Sequence, residues 1–110
     1  MRQGKVFVED DFAGVISEIA GSFIFEYDEV YLQKENALPV SITLPLRKEQ
    51  YVSKMLFPFF DGLIPEGWLL NIAERNWKVS RRDRMGLLLT CCRDCIGNVS
   101  VLPIEQEEGR

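Results

Sequence analysis

The stretch Leu-Phe-Pro-Phe-Phe-Asp-Gly-Leu-Ile-Pro-Glu-Gly-Trp, residues 56–68, decides how the rest of the chain is interpreted. It holds four aromatic rings, two prolines and two glycines, including Gly62. Prolines fix the backbone angle φ and remove a hydrogen-bond donor, while glycines reach conformations that other residues avoid. The stretch therefore favours either a core-forming loop that leads into a helix or a preformed apolar surface offered to a partner.

The composition is that of one globular domain with a modest core. The chain has 110 residues, of which 46% are hydrophobic and 27% are charged. A formal net charge of −4 argues against broad contact with nucleic acid, which requires a basic patch. No apolar run reaches the ~18–20 residues that span a bilayer, and no secretory leader opens the chain, so we expect a cytoplasmic protein. We expect the domain to occupy residues 1–103, followed by an acidic, flexible tail at 104–110.

Alternating apolar residues predict an antiparallel meander at the start of the chain. The predicted strands are residues 5–8, residues 12–19 with a bulge at Gly14, and residues 23–27. One helical turn is expected within residues 28–34. Residues 40–44 alternate most cleanly and predict a further strand, residues 46–54 are expected to be exposed, and residues 99–102 predict the last strand.

Two helices are predicted in the second half of the chain. The first, at about residues 65–77, places Trp68 roughly 120° from the centre of its apolar face, so this helix does not need Trp68 for its core. The second begins at Ser80, where Ser-Arg-Arg-Asp resembles a capping box that ends at Asp83. The predicted fold class is α+β: a small antiparallel sheet with two packed helices.

The side chains offer little catalytic chemistry. Because the chain has no histidine, Ser-His and Cys-His nucleophiles and histidine metal ligands are excluded. No glycine-rich phosphate loop and no kinase catalytic motif occurs. Cys92 and Cys95 form a C-x-x-C pair, but only Cys91 is left to supplement it, and the pair follows a helix instead of opening one. We expect small buried thiols, no metal, no cofactor and no enzymatic activity.

Two surface features point to a protein partner. The basic run at residues 78–84 is either a solvated helix start or a salt-sensitive contact with an acidic partner. One small core does not easily bury every ring of residues 56–68, and exposed aromatic residues are typical of interface hot spots. The predicted partner-binding residues are Trp68, Phe59, Phe60, Asp61, Glu66 and Gly67, whereas Leu56, Phe57, Leu63 and Ile64 are expected in the core.

Several segments together resemble a known family. They are SITLPLR at residues 41–47, FPFFDGLIPEGW at residues 57–68 and RDCIGNV at residues 93–99, supported by GKVFV at residues 4–8 and YDEVYL at residues 27–32. The combination resembles the N-terminal subdomain of HipA-type serine/threonine kinase toxins over about residues 3–102. The ATP-binding loop and catalytic motifs of that family lie beyond this subdomain, so the resemblance implies no kinase activity.

Within that family the chain is most similar to the HipS-type small proteins of tripartite HipBST toxin–antitoxin operons. The resemblance implies an antitoxin that neutralises a HipA-like (HipT-type) kinase, with Trp68 directed at the kinase cleft and Phe59 and Phe60 supporting it. A HipB-type helix-turn-helix protein is expected in the same complex, without direct contact of this chain to nucleic acid or membrane. An excised toxin domain would look similar, although the acidic residues after Pro103 favour a natural terminus.

Two other roles remain open at this point. The chain is alternatively a structural or regulatory subunit that completes a split HipA-like kinase. It is also compatible with an adaptor that links the kinase to the helix-turn-helix partner. Kinase assays with and without the chain separate completion from inhibition, and pull-downs reveal an adaptor.

Overall fold

Five antiparallel strands form one sheet in the computed structural model, which describes residues 2–64, 75, 82–91 and 98–104. In chain order they are β1 Arg2–Val8, β2 Asp11–Ile19, β3 Ser22–Tyr27, β4 Tyr51–Ser53 and β5 Val99–Pro103. The order across the sheet is β4-β3-β2-β1-β5. The first three strands are the predicted meander, the predicted last strand is β5, and the α+β prediction is confirmed.

Three helices accompany the sheet within the described residues: α1 Glu29–Leu32, α2 Pro58–Asp61 and α3 Arg84–Cys91. The single turn of α1 matches the prediction, and the carboxylate of Asp28 caps it by accepting a hydrogen bond from the Tyr31 amide at 3.2 Å. The expected helix start at Ser80 is wrong, because α3 begins at Arg84. Asp83 is its capping residue and accepts from the Gly86 amide at 3.2 Å.

The predicted bulge lies beside Gly14. Val6 pairs with Gly14 and Phe7 with Phe12, so Ala13 is the extra residue on β2. A Cβ atom at Gly14 would lie 2.4 Å from the backbone oxygen of Glu26 on β3. Glycine is therefore required there by the close approach of two strands.

The core lies between one face of the sheet and the helices. Strand register places the fully buried side chains of Val6, Ile16, Phe25 and Val101 on this face. Helix α3 covers it so closely that a Cβ atom at Gly4 would lie 2.6 Å from the Leu89 side chain. The other fully buried large side chains are Phe60, Met85, Leu87 and Leu88.

Residues 40–44 do not form the predicted strand. A strand would place Val40, Ile42 and Leu44 on one face, yet Val40 and Leu44 are buried while Ile42 is 94% exposed. The segment is a turn closed by a hydrogen bond from the Leu44 amide to the Ser41 carbonyl at 3.0 Å. The hydroxyl of Tyr27 accepts from the Val40 amide at 3.0 Å and so replaces the partner that a neighbouring strand would provide.

Residues 46–54 are mostly exposed, as predicted, but they contain strand β4, which was not predicted and pairs with β3. The predicted helix at residues 65–77 falls outside the described residues except at Arg75, which is helical and exposed. The side chains of the three cysteines, the acidic tail from residue 105 and the domain limits stay predictions. In the parts of the chain that the structure describes, no helix has the length and apolar character of a membrane span.

Candidate functional site

Helix α2 places three of the predicted partner-binding residues in one turn. Pro58 occupies its first position, where the missing amide is harmless and the fixed φ favours a helix. The amides of Asp61 and Gly62 donate to the carbonyls of Phe57 and Pro58, both at 2.9 Å. Gly62 has φ −68°, an ordinary helical value that does not require glycine.

Phe60 is a core residue, which corrects the expectation that its ring is available to a partner. Its side chain is fully buried. Its ring centroid lies 5.4 Å from that of Phe25, 6.3 Å from that of Phe57 and 5.2 Å from that of Phe59. Tilted and edge-on contacts of this kind stabilise an aromatic cluster by about 0.5–1.5 kcal/mol per pair beyond the area buried.

Phe59 lies at the edge of this cluster and is half-buried. Leu56, Phe57 and Ile64 are buried, as predicted, and Leu63 is partly buried against the same core. Among the rings of α2, Phe59 is thus the one with surface left for a partner.

Asp61 connects α2 to the start of α3. Its Oδ1 atom accepts a hydrogen bond from Arg84 Nε at 2.6 Å. Both side chains are partly exposed, so the pair contributes about 0–1 kcal/mol to stability. Its main effect is to fix the position of one helix against the other.

A second ionic cluster fixes the start of α3 to the sheet. The guanidinium of Arg2 donates two hydrogen bonds of 2.8 Å to the carboxylate of Asp83 and one of 2.7 Å to Glu18. These bonds hold the pKa of Asp83 below its usual value. This contact could not be predicted from sequence patterns, because Arg2 and Asp83 are 81 residues apart in the chain.

A groove with a volume of about 430 Å³ lies between these two ionic contacts. Its apolar lining residues are Phe23, Met55, Leu56, Pro58 and Met85, and its charged ones are Glu18, Asp61, Arg82, Asp83 and Arg84. Glu18, Asp61, Asp83 and Arg84 already have ionic partners within the chain. The groove therefore suits apolar side chains of a protein partner better than a charged small molecule.

The described part of the chain brings together no group of three or more Cys, Asp or Glu residues that is suited to a metal ion. Glu66, Gly67 and Trp68 lie outside the described residues, so their place at the partner surface stays a prediction. The sequence missed the ionic cluster of Arg2, and only the Ser-Arg-Arg-Asp capping pattern pointed to one of its two acidic members, Asp83.

Comparison with known protein families shows which family the chain belongs to. The model of the HipA N-terminal domain matches residues 4–102. The chain belongs to the HipA N-terminal domain family. Similar proteins include an uncharacterized protein of Haemophilus influenzae, which is 31% identical over 101 residues, covering 92% of each chain.

The family also occurs within longer proteins. A putative kinase of Sinorhizobium fredii, Y4mE, is 36% identical over 87 residues, which are 79% of this chain and 21% of that protein. The solved N-terminal domain of HipA toxin superposes with a TM-score of 0.74 at 28% identity, covering 97% of this chain and 96% of that one.

A solved complex of HipA, HipB and operator DNA from Shewanella oneidensis contains the same fold at a TM-score of 0.72. There the identity is 21%, and the match covers 97% of this chain and 25% of the matched chain. The same fold therefore makes up about a quarter of the matched chain in that complex.

Proposed function

We propose that this chain is a non-catalytic antitoxin that binds a HipA-type serine/threonine kinase and holds it inactive. The observation that carries the proposal is the extent of the family match. The HipA N-terminal domain takes in residues 4–102, whereas this chain corresponds to only 21% of the putative kinase that it resembles. Because the matched part of the family is its N-terminal domain, we assign residues 4–102 a role in binding.

The surface around α2 supports a protein as the ligand. Phe59 offers a half-buried aromatic ring next to Pro58, which is one of the five apolar residues that line the groove. The charged lining residues Glu18, Asp61, Asp83 and Arg84 have ionic partners within the chain. Such a surface loses little charge solvation when a partner covers it. Trp68 follows α2 in the chain, and its helical phase directs it away from the predicted apolar face, so it serves as the main anchor in the kinase cleft.

The same proposal assigns the other partners. A net charge of −4 disfavours direct binding to DNA. We therefore place a HipB-type helix-turn-helix protein in the complex as the subunit that contacts the operator, and we place the complex in the cytoplasm.

The binding test uses a purified HipA-family kinase encoded by the same genome. Trp68→Ala weakens binding by about 100-fold, because loss of a buried Trp anchor removes roughly 3 kcal/mol. Val52→Ala is the matched control, since Val52 is exposed and pairs with Ile24 on the opposite face of the sheet from Phe25. Wild-type affinity in Trp68→Ala, measured by calorimetry, would contradict the assignment of Trp68. Absence of binding by the wild-type chain would contradict the proposed function itself.

One observation favours a second role. In the Shewanella HipA complex this fold is 25% of a longer chain, so a separate copy of the domain is also suited to complete a kinase that lacks it. A rise in phosphorylation on addition of this chain would favour completion, whereas a fall would favour inhibition.

A further inference from the structure

Ile42 is almost fully exposed on a turn that projects from the sheet. Its side chain is 94% exposed, the largest value among the exposed large hydrophobic residues that the structure describes. Single exposed apolar residues are common at protein surfaces, so exposure alone does not define a site. Hydrogen bonds from tyrosine hydroxyls hold the surrounding loop in one conformation, and this is the further evidence for a site.

We define the pinned loop as residues 37–47, which contain no helix and no strand. The hydroxyl of Tyr31 donates to the carbonyl of Leu38 at 2.6 Å and accepts from its amide at 3.1 Å. The hydroxyl of Tyr27 accepts from the Val40 amide at 3.0 Å and donates to the Leu44 carbonyl. Burial raises the pKa of Tyr27 to about 12, so its hydroxyl keeps the proton that it donates at neutral pH.

A third tyrosine holds the far end of the pinned loop. The hydroxyl of Tyr51 donates to the carbonyl of Pro45 at 2.5 Å. The guanidinium of Arg47 lies 3.7 Å from the centre of the Tyr51 ring and donates to the carbonyls of Glu49 and Gln50 at 3.2 and 3.0 Å. The backbone on both sides of Ile42 is therefore fixed before any partner arrives, which lowers the conformational entropy lost on binding.

The chemistry of the pinned loop selects an apolar ligand. Residues 37–46 of the pinned loop carry no charge in a chain that is 27% charged, and its one charged side chain, Arg47, lies against the Tyr51 ring at the far end. Leu38, on the same loop, is 54% exposed. An uncharged surface with projecting aliphatic side chains fits a dry pocket on a folded protein and offers nothing to a phosphate backbone.

The pinned loop and α2 are neighbours on one face of the sheet. The ring of Tyr27, which holds the loop, contacts the ring of Phe25 with centroids 4.8 Å apart. Phe25 in turn contacts Phe60 of α2 at 5.4 Å. Tyr27 and Phe25 are two positions apart on β3, which corresponds to about 7 Å along a strand. Val40 and Leu44 of the loop belong to the same buried core as Phe60, so the loop and α2 are packed on one core.

The size of a stable interface requires such an extension. A specific complex uses about 20–30 residues on each side, whereas the groove beside α2 is lined by ten residues. We propose that Ile42 is a second anchor of the kinase interface and enters an uncharged apolar pocket on the kinase. This inference rests on the proposed function, since the kinase is the occupant.

The test measures the affinity of the full chain for the purified HipA-family kinase of the same genome. Ile42→Asp is expected to raise Kd by about 30-fold, because it places a charge in an apolar pocket, whereas Ile42→Leu stays within about threefold. Val52→Asp is the matched control: Val52 is 64% exposed and lies on the opposite face, so its Kd stays near wild type. Unchanged thermal unfolding in all three variants verifies that the fold is retained.

Three outcomes overturn the inference. If the wild-type chain does not bind the kinase, both the proposed function and the second anchor fail. If the wild type binds and Ile42→Asp binds equally well, or no worse than Val52→Asp, only the second anchor fails. If sedimentation shows a wild-type dimer that Ile42→Asp converts to a monomer at unchanged kinase affinity, the occupant is a second copy of this chain.

Discussion

Gly14 and Gly62 differ in whether the surrounding structure leaves space for a side chain. At Gly14 the backbone of β3 lies where a Cβ atom would stand, at 2.4 Å from the Glu26 oxygen. At Gly62 the nearest atoms to such a Cβ are carbonyl oxygens at 3.4 and 3.5 Å, and the backbone has an ordinary helical conformation. The first glycine is a packing requirement, whereas the second is not.

Matched alanine substitutions test this difference. Gly14→Ala is expected to lower the free energy of unfolding by about 1–3 kcal/mol, because β2 and β3 must move apart. Gly62→Ala is expected to be neutral or to stabilise by about 0.4–1 kcal/mol, because it restricts the unfolded chain. Urea denaturation measures both, and an equal loss in the two variants would contradict the strand approach at Gly14.

Phe60 belongs to the fold, while Phe59 beside it has surface to offer. Phe60→Ala is expected to lower the free energy of unfolding by about 3–5 kcal/mol, because it leaves a cavity among Phe25, Phe57 and Phe59. Phe60→Leu is the control that retains most of the volume and loses less. Chemical denaturation of both variants checks the order, and a loss below about 1 kcal/mol in Phe60→Ala would show that the ring is not central to the core.

At the scale of elements, Asp83 performs two tasks at the start of α3. It caps the helix through the Gly86 amide and receives two hydrogen bonds from Arg2. Because its pKa is lowered in the folded state, its contribution is present above the unfolded pKa and is lost as the pH falls through the folded value. Stability supplied by Asp83 therefore disappears on acidification below about pH 4.

Asp83→Asn tests this contribution. At pH 7 the variant is expected to be about 1–2 kcal/mol less stable, since the amide weakens both the cap and the ionic contact. Between pH 7 and pH 3 it is expected to lose less stability than the wild type, because one titrating group with a lowered pKa is gone. Parallel acid profiles for variant and wild type, recorded by urea denaturation, would contradict the assigned role.

Some secondary-structure elements could be predicted from the sequence and others could not. Period-two alternation identified the meander because Phe23, Phe25 and Tyr27 share one face of β3. The same alternation misled at residues 40–44, where the Tyr27 hydroxyl, distant in sequence, supplies the hydrogen bonds. Strand β4 escaped prediction because three residues are too few to display a period.

At the candidate site, too, the sequence indicated some features and not others. The aromatic content of residues 56–68 indicated a functional surface, and the helical turn at Phe59 and Asp61 lies beside the groove. The sequence could not sort the rings, because burial of Phe60 depends on Phe25 in a distant strand. Family resemblance suggested the proposed kinase partner, which no local pattern contains.

At the scale of the whole molecule, one row of rings ties the parts of the surface together. It runs from Tyr31 through Tyr27 and Phe25 to Phe60 and Phe59, with successive centroids 4.8 to 6.3 Å apart. The pinned loop is hydrogen-bonded to Tyr31 and Tyr27 at one end of this row, and α2 contains Phe60 and Phe59 at the other end. The proposed kinase interface thus rests on a preformed scaffold, which favours slow dissociation of the complex.

Kinase activity, measured while this chain is titrated into a purified HipA-family kinase of the same genome, tests the central claim most directly. The proposed antitoxin role predicts that phosphorylation falls to background near one equivalent of the wild-type chain. Trp68→Ala should require a much higher concentration for the same effect, while Val52→Ala should match the wild type. Phosphorylation that stays constant or rises at saturating concentrations of the wild-type chain would contradict the claim.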